Sequence, residues 1–91
     1  MTKERQTQIL EIGLNTAKSQ MEKYPARPEY PRDYDRLYEW LEDKLFNLYE
    51  AIQLKKTEHI KIMAGEIIVT ASQVAEFAEK QLIVDSLKYV E

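Results

Sequence analysis

This 91-residue chain has no cysteine, which excludes disulfides, thiolate zinc sites and a cysteine nucleophile and leaves the compartment open. Histidine occurs once, at His59, and a single imidazole cannot build a metal cluster. Basic charge is also scarce: 13 Lys and Arg against 16 Asp and Glu give a formal charge of −3, the opposite of the basic stripe that neutralises duplex phosphates. No stretch approaches the roughly 18 apolar residues that span a bilayer, and Met1 to Gln8 hold no apolar signal core. The expectation is a soluble cytoplasmic protein with no duplex nucleic acid and no membrane among its partners. Glycine occurs twice and proline three times, and all three prolines (Pro25, Pro28, Pro31) fall in one short segment. Proline lacks a backbone donor and pushes its predecessor out of helical geometry, so residues 24–32 are expected to form an extended connection.

What remains is helical periodicity. Leu10, Leu14, Ala17, Met21 and Tyr24 recur at spacings of three and four, which predicts a first helix over about residues 3–23 with Thr2 as its N-cap. Asp33 can cap a second, over about 34–54, whose apolar face is Tyr34, Leu37, Tyr38, Leu41, Leu45, Leu48, Tyr49 and Ile52. Leu54 to Thr57 break the pattern and supply a turn, with Thr57 the expected N-cap of a third helix over about 58–82. That helix carries Ile60, Met63, Ala64, Ile67, Ala71, Val74, Ala75, Ala78 and Leu82 on one alanine-rich face that suits close approach to the second helix. Residues 83–91 are rich in apolar side chains and read as a short C-terminal extension, a fourth helix or a docking strand. The fold class is therefore all-α, a single domain over residues 1–91, a small bundle of three main helices.

Two rows of polar residues flank the apolar faces. Trp40, Lys44 and Asn47 lie along one edge of the second helix, and Glu66, Thr70, Gln73 and Phe77 along one edge of the third. An antiparallel hairpin brings Lys44 and Glu66 to similar heights, so the two are expected to pair across it. The bland reading is a structural ion pair. The sharper one is a pocket in which Trp40 or Phe77 stacks on a planar, nucleotide-like ligand whose negative group meets Lys44.

The order of residues resembles a known family. Leu48-Tyr-Glu-Ala-Ile52, a turn, and Glu66-Ile-Ile-Val-Thr-Ala-Ser-Gln-Val74 are similar to the two central helices of the MazG-like all-α nucleoside triphosphate pyrophosphohydrolases. Glu4-Arg5-Gln6-Thr7-Gln8 is similar to the opening of their phage-type members, and together these stretches cover about half of the chain. In that family two carboxylate pairs, Glu-x-x-Glu and Glu-x-x-Asp, hold magnesium for hydrolysis between the α and β phosphates. Registered on Ala51 and Ile52, Lys44 and Asn47 stand at the first pair, Glu66 at the start of the second and Val69 at its aspartate. What the resemblance implies is a scaffold that has lost its chemistry, with no catalytic residue, no metal ligand and no cofactor. The phage-type likeness further implies a phage-encoded protein in the host cytoplasm. An alternative register sets Glu39 and Glu42 beside Glu66 and would restore a magnesium-dependent pyrophosphohydrolase, but both project with Asp35 on the shoulder opposite Lys44.

Apolar residues off the main stripes point to association. Ile9, Ile12, Phe46 and Ile62 lie away from the predicted core faces, and Tyr30 and Tyr34 sit with Tyr24 and Tyr38 around the proline segment. A homodimer or larger homo-oligomer that buries part of this set is expected of so small a chain. The functional expectation is a non-catalytic helical binding or interaction protein that takes a protein partner or a nucleotide-like ligand. The alternatives are the magnesium-dependent enzyme and a purely structural assembly protein.

Overall fold

The computed structural model describes residues 1–24 and 28–88, the last three by backbone alone. It is a small all-α bundle of three helices, α1 (Lys3–Lys23), α2 (Tyr34–Gln53) and α3 (Thr57–Lys88). Each begins where local chemistry directs. The Thr2 hydroxyl accepts from the Arg5 amide at 3.1 Å, with Glu4 in the first turn, and the Asp33 carboxylate accepts from the Asp35 amide at 2.9 Å. Thr57, the expected cap of α3, is instead its first residue: the Ile60 amide donates to the Lys56 carbonyl at 2.9 Å, so the capping position falls one residue earlier.

The α2–α3 turn is a paired C-terminal cap. The Lys56 amide donates to the Ala51 carbonyl and the Lys55 amide to that of Ile52, both at 3.1 Å, while Lys55 takes a φ of 54°. Glycine usually fills that left-handed position, and its absence here explains why the sequence shows a loss of pattern rather than a clear stop. The other expected boundary is also displaced. Residues 83–88 are not a separate extension, since α3 runs through them to Lys88; residues 89–91 lie outside the described residues. With no glycine or proline after Gly65, nothing in the sequence interrupts the helix there.

Helix α3 is the spine. Both α1 and α2 pack antiparallel to it, and within the described residues they do not contact each other. Between them lies the connection, in part: residues 28–33 form neither helix nor strand, and Pro28 borders cavities on both the α1 and the α2 side. Pro25 belongs to the part of that connection outside the described residues. Tyr30, Leu37 and Phe77 form the core cluster, with Trp40 and Val74 packed against it. Tyr34 covers one edge of it, its ring 4.7 Å from that of Phe77 and tilted by 48°.

The helices turn different faces to the spine than their apolar patterns predict. On α1 the buried residues are Ala17 and Gln20, with Gly13 and Thr16 half-buried, whereas Leu10, Leu14, Met21 and Tyr24 are exposed. Small residues set this choice, because they let the two backbones approach. A Cβ placed on Gly65 would lie 3.1 Å from Gln20 Cγ and 3.3 Å from the Thr16 carbonyl oxygen, and one on Gly13 would lie 3.1 Å from Ile68 Cδ1. On α2, Leu37 and Ala51 are buried and Trp40, Leu41, Lys44 and Leu48 half-buried, while Tyr34, Tyr38, Leu45, Tyr49 and Ile52 stay exposed. The contact face has rotated toward the polar shoulder. On α3, Met63 is buried, yet Ala71, Ala75 and Leu82 from the predicted face are open.

Gly65→Val is expected to destabilise the fold, since the added methyl groups meet a backbone oxygen that cannot move aside. Overpacking of this kind costs about 2 kcal/mol, or about 10 °C in Tm for a domain of this size, readable by thermal circular dichroism.

Candidate functional site

Rotation of α2 places its polar shoulder against the spine. The Lys44 ammonium donates to Glu66 Oε2 at 3.3 Å, as the hairpin register predicts, with the two side chains 23% and 15% exposed. The pair stands in the wall of a surface cavity of about 430 Å³. Trp40, Lys44 and Asn47 of α2 and Glu66, Thr70 and Gln73 of α3 all line it, so six of the residues singled out on the two shoulders converge. Asp43, Met63 and Pro28 complete the lining. Asp43 was legible in principle, since it lies one helical turn from both Trp40 and Asn47. Pro28 was not, because no periodicity says where a connection crosses a bundle.

Phe77, expected to offer a stacking face, is a core residue instead. It is buried against Tyr30 and Leu37 and covered by Tyr34, so no face is free for a ligand. Thr70 lines the cavity but is itself almost wholly buried. Stacking chemistry at this cavity therefore falls to Trp40 alone, with the Asn47 and Gln73 amides as neutral donors and acceptors.

The cavity does not suit a divalent cation held by the carboxylate pairs of the family that the sequence resembles. In the register that the resemblance implies, Lys44 and Asn47 stand at the first pair and Val69, a buried apolar residue, in the second. Glu39 and Glu42 of the alternative register are exposed. Among the described residues, no three Asp, Glu, His or Cys side chains gather closely enough to hold a metal ion. Magnesium needs oxygen ligands, and the Lys44 ammonium would repel it.

A second polar cluster lies at the other end of the spine. Tyr30 donates its hydroxyl to Glu76 Oε1 at 2.5 Å, Lys80 meets the same oxygen at 3.1 Å, and the Lys80 ammonium stands 5.9 Å from the Tyr30 ring centre. Tyr30 is thus only 8% exposed, which removes it from the expected interface set. Its place in the proline segment hid this contact, because its partner lies far away in sequence. Spacing alone could have found the Glu76 and Lys80 half, one turn apart on α3. The Tyr30 hydrogen bond, then Lys80, holds the Glu76 carboxyl below its ordinary value of 4.5. The same bond, with burial, raises the Tyr30 hydroxyl above 10.0. Glu76, by hydrogen bond and charge, raises Lys80 above 10.5.

Of the remaining interface residues, Ile9, Ile12, Tyr34 and Phe46 are exposed. Ile62 is half-buried beside Thr16 and Gln20 of α1, so it serves the α1–α3 contact. His59 is exposed. Among the described residues no helix is long and apolar enough to cross a membrane. Compared with protein-family models, with curated proteins and with solved structures, the chain finds no match in any of the three.

Glu66→Ala is expected to cost about 2 kcal/mol, between the value of a surface pair and that of a fully buried one, because it strands the Lys44 ammonium. Lys44→Met combined with Glu66→Leu should recover most of that loss in denaturant unfolding. Additive effects would mean that the two residues are not coupled.

The second cluster predicts a pH profile. Glu76 is lowered on folding, so its contribution is present above 4.5 and is lost as pH falls through the lowered value. Tyr30 is raised, so its contribution is present below 10.0 and is lost as pH rises through the raised value. The Tm difference between wild type and Tyr30→Phe should therefore be flat at neutral pH and shrink at both extremes. A difference independent of pH would show that the hydroxyl does not donate to Glu76.

Proposed function

We propose that this chain is a non-catalytic helical interaction module, a degenerate relative of the nucleotide pyrophosphohydrolases it resembles, whose cation site has been replaced by an internal ion pair. The observation that carries this reading is the 3.3 Å contact between Lys44 and Glu66 in the cavity wall. At those positions the resemblance calls for two carboxylates that share a cation; here a lysine supplies the positive charge itself. Reaction at the α and β phosphates depends on a metal that positions them and offsets developing charge, and one of the four expected ligands remains.

Binding then falls to the apolar surface. Leu10, Ile12, Tyr38, Leu45, Phe46 and Tyr49 are all exposed, more large apolar side chains than scattered surface residues explain. A protein partner, in the host cytoplasm for a phage-encoded chain, fits such a surface. A second reading is supported by the cavity itself: a planar, nucleotide-like ligand stacked on Trp40 and held by the Asn47 and Gln73 amides.

Purified protein with magnesium should release no pyrophosphate from a panel of nucleoside triphosphates. Turnover that disappears in Glu66→Gln would reverse the proposal in favour of the enzyme. A thermal-shift screen with the same nucleotides addresses the second reading, which requires a rise in Tm that Trp40→Ala removes.

A further inference from the structure

The side of α3 opposite the cavity is an open apolar face. The α2 residues Leu45, Tyr49 and Ile52 border it, and Ala71 of α3 lies exposed on its floor beside half-buried Ile67. The chain exposes 7504 Å², whereas a compact monomer of its 10.8 kDa exposes about 5,500 Å². Its radius of gyration is 15.9 Å, against about 12 Å for a compact domain of this length. The excess surface, about 2,000 Å², is of the size that a stable homodimer removes from each chain.

The helix register shows where part of this surface lies. Tyr34, the first residue of α2, packs on Phe77, and Gly13 of α1 faces Ile68, so counting outward neither helix reaches much past residue 80 of α3. Residues 81–88 project beyond both neighbours by about 12 Å. Leu82 (67% exposed), Ile83 and Val84 stand in this overhang.

We propose that a second copy of this chain covers the open face, with α3 of one protomer packed antiparallel against α3 of its partner about a two-fold axis near Ala71. This rests on the interaction reading above and names its partner. The small side chain at the axis lets the helices approach to about 8 Å. The antiparallel register carries each overhang back along the partner's spine, where Leu82 of one protomer meets Ile52 and Ile60 beside the α2–α3 turn of the other. Asp85 and the negative end of α3 then approach Lys55 and Lys56 in that turn. A parallel pairing would set Asp85 against Asp85 and leave both turns uncovered.

Sedimentation velocity at tens of micromolar should give a species of twice the 10.8 kDa chain mass. Ala71→Glu places two carboxylates at the axis and should weaken the dimer by about 100-fold or more, while the helical circular dichroism of the exposed-site variant is unchanged. Glu50→Ser, exposed on the outer side of α2, should leave the dimer intact. Because the chain has no cysteine, Ala71→Cys is also a unique reporter: mild oxidation should link it into a dimer and should not link Glu50→Cys. A monomeric wild type, a dimer that survives Ala71→Glu, or failure of Ala71→Cys to link would each overturn the proposal. A monomer without hydrolytic activity would remove this proposal and leave the non-catalytic reading. A dimer with Glu66-dependent hydrolysis would do the reverse.

Discussion

Everything in this fold depends on one constraint: α3 is the only helix that both others touch. In a closed bundle each helix has two neighbours and can bury a wide stripe; here α1 and α2 have one helical neighbour each. The connection between them is the reason. It must return from the end of α1, near the start of α3, to the far end of the spine where Tyr34 begins α2, and Tyr30 is fixed there by Glu76 and the core. Pro28 of that connection lines cavities on both sides of it, and Tyr30 enters the core, so described parts of the connection stand between the two helices. Each therefore has a narrow contact with the spine, and the residues that allow the closest approach take it.

That selection explains which parts of the structure were legible in the sequence. Helix type and position follow from periodicity and from Thr2 and Asp33, whose capping chemistry is local and acts before any packing. The Lys44 and Glu66 contact was legible too, because an antiparallel hairpin with a short turn leaves little freedom in height and both residues flank the same seam. Facing was not. Counting apolar side chains points α1 at Leu10, Leu14 and Met21, whereas Gly65 on the spine accepts only the small or slender face of Thr16, Ala17 and Gln20. Phe77 was hidden for a related reason: its partner Tyr30 comes from the connection, where no periodic pattern speaks, and Tyr34 of α2 closes over it. Long-range contacts made by irregular chain are invisible to any reading of helical faces.

The Lys44 and Glu66 pair is poorly explained as a stabilising device. Two partly desolvated charges gain little over well-packed apolar residues of similar volume, so stability alone would not select them. Their placement in a cavity wall supports the proposed reading, in which the chain itself supplies the positive charge of a degenerate site. A carboxylate cluster in a bundle repels itself unless a cation binds, and a lysine in place of one carboxylate relieves that repulsion permanently. On the proposed reading, the lysine that relieves this repulsion also removes the means of polarising a phosphate.

A related division runs through the apolar residues. Outside the core of Tyr30, Leu37, Met63 and Phe77, small residues, Gly13, Ala17, Ala51 and Gly65, serve the contacts inside the chain, and large ones, Leu10, Leu45, Tyr49 and Leu82, are left on its surface. Burial of a leucine or tyrosine stabilises by about 2 kcal/mol and burial of an alanine by far less, so the exposed large side chains hold most of what an interface could gain. Close backbone contacts fix the shape of a thin, three-helix chain, and the long apolar edge that this shape presents is the surface that the proposed dimer would cover.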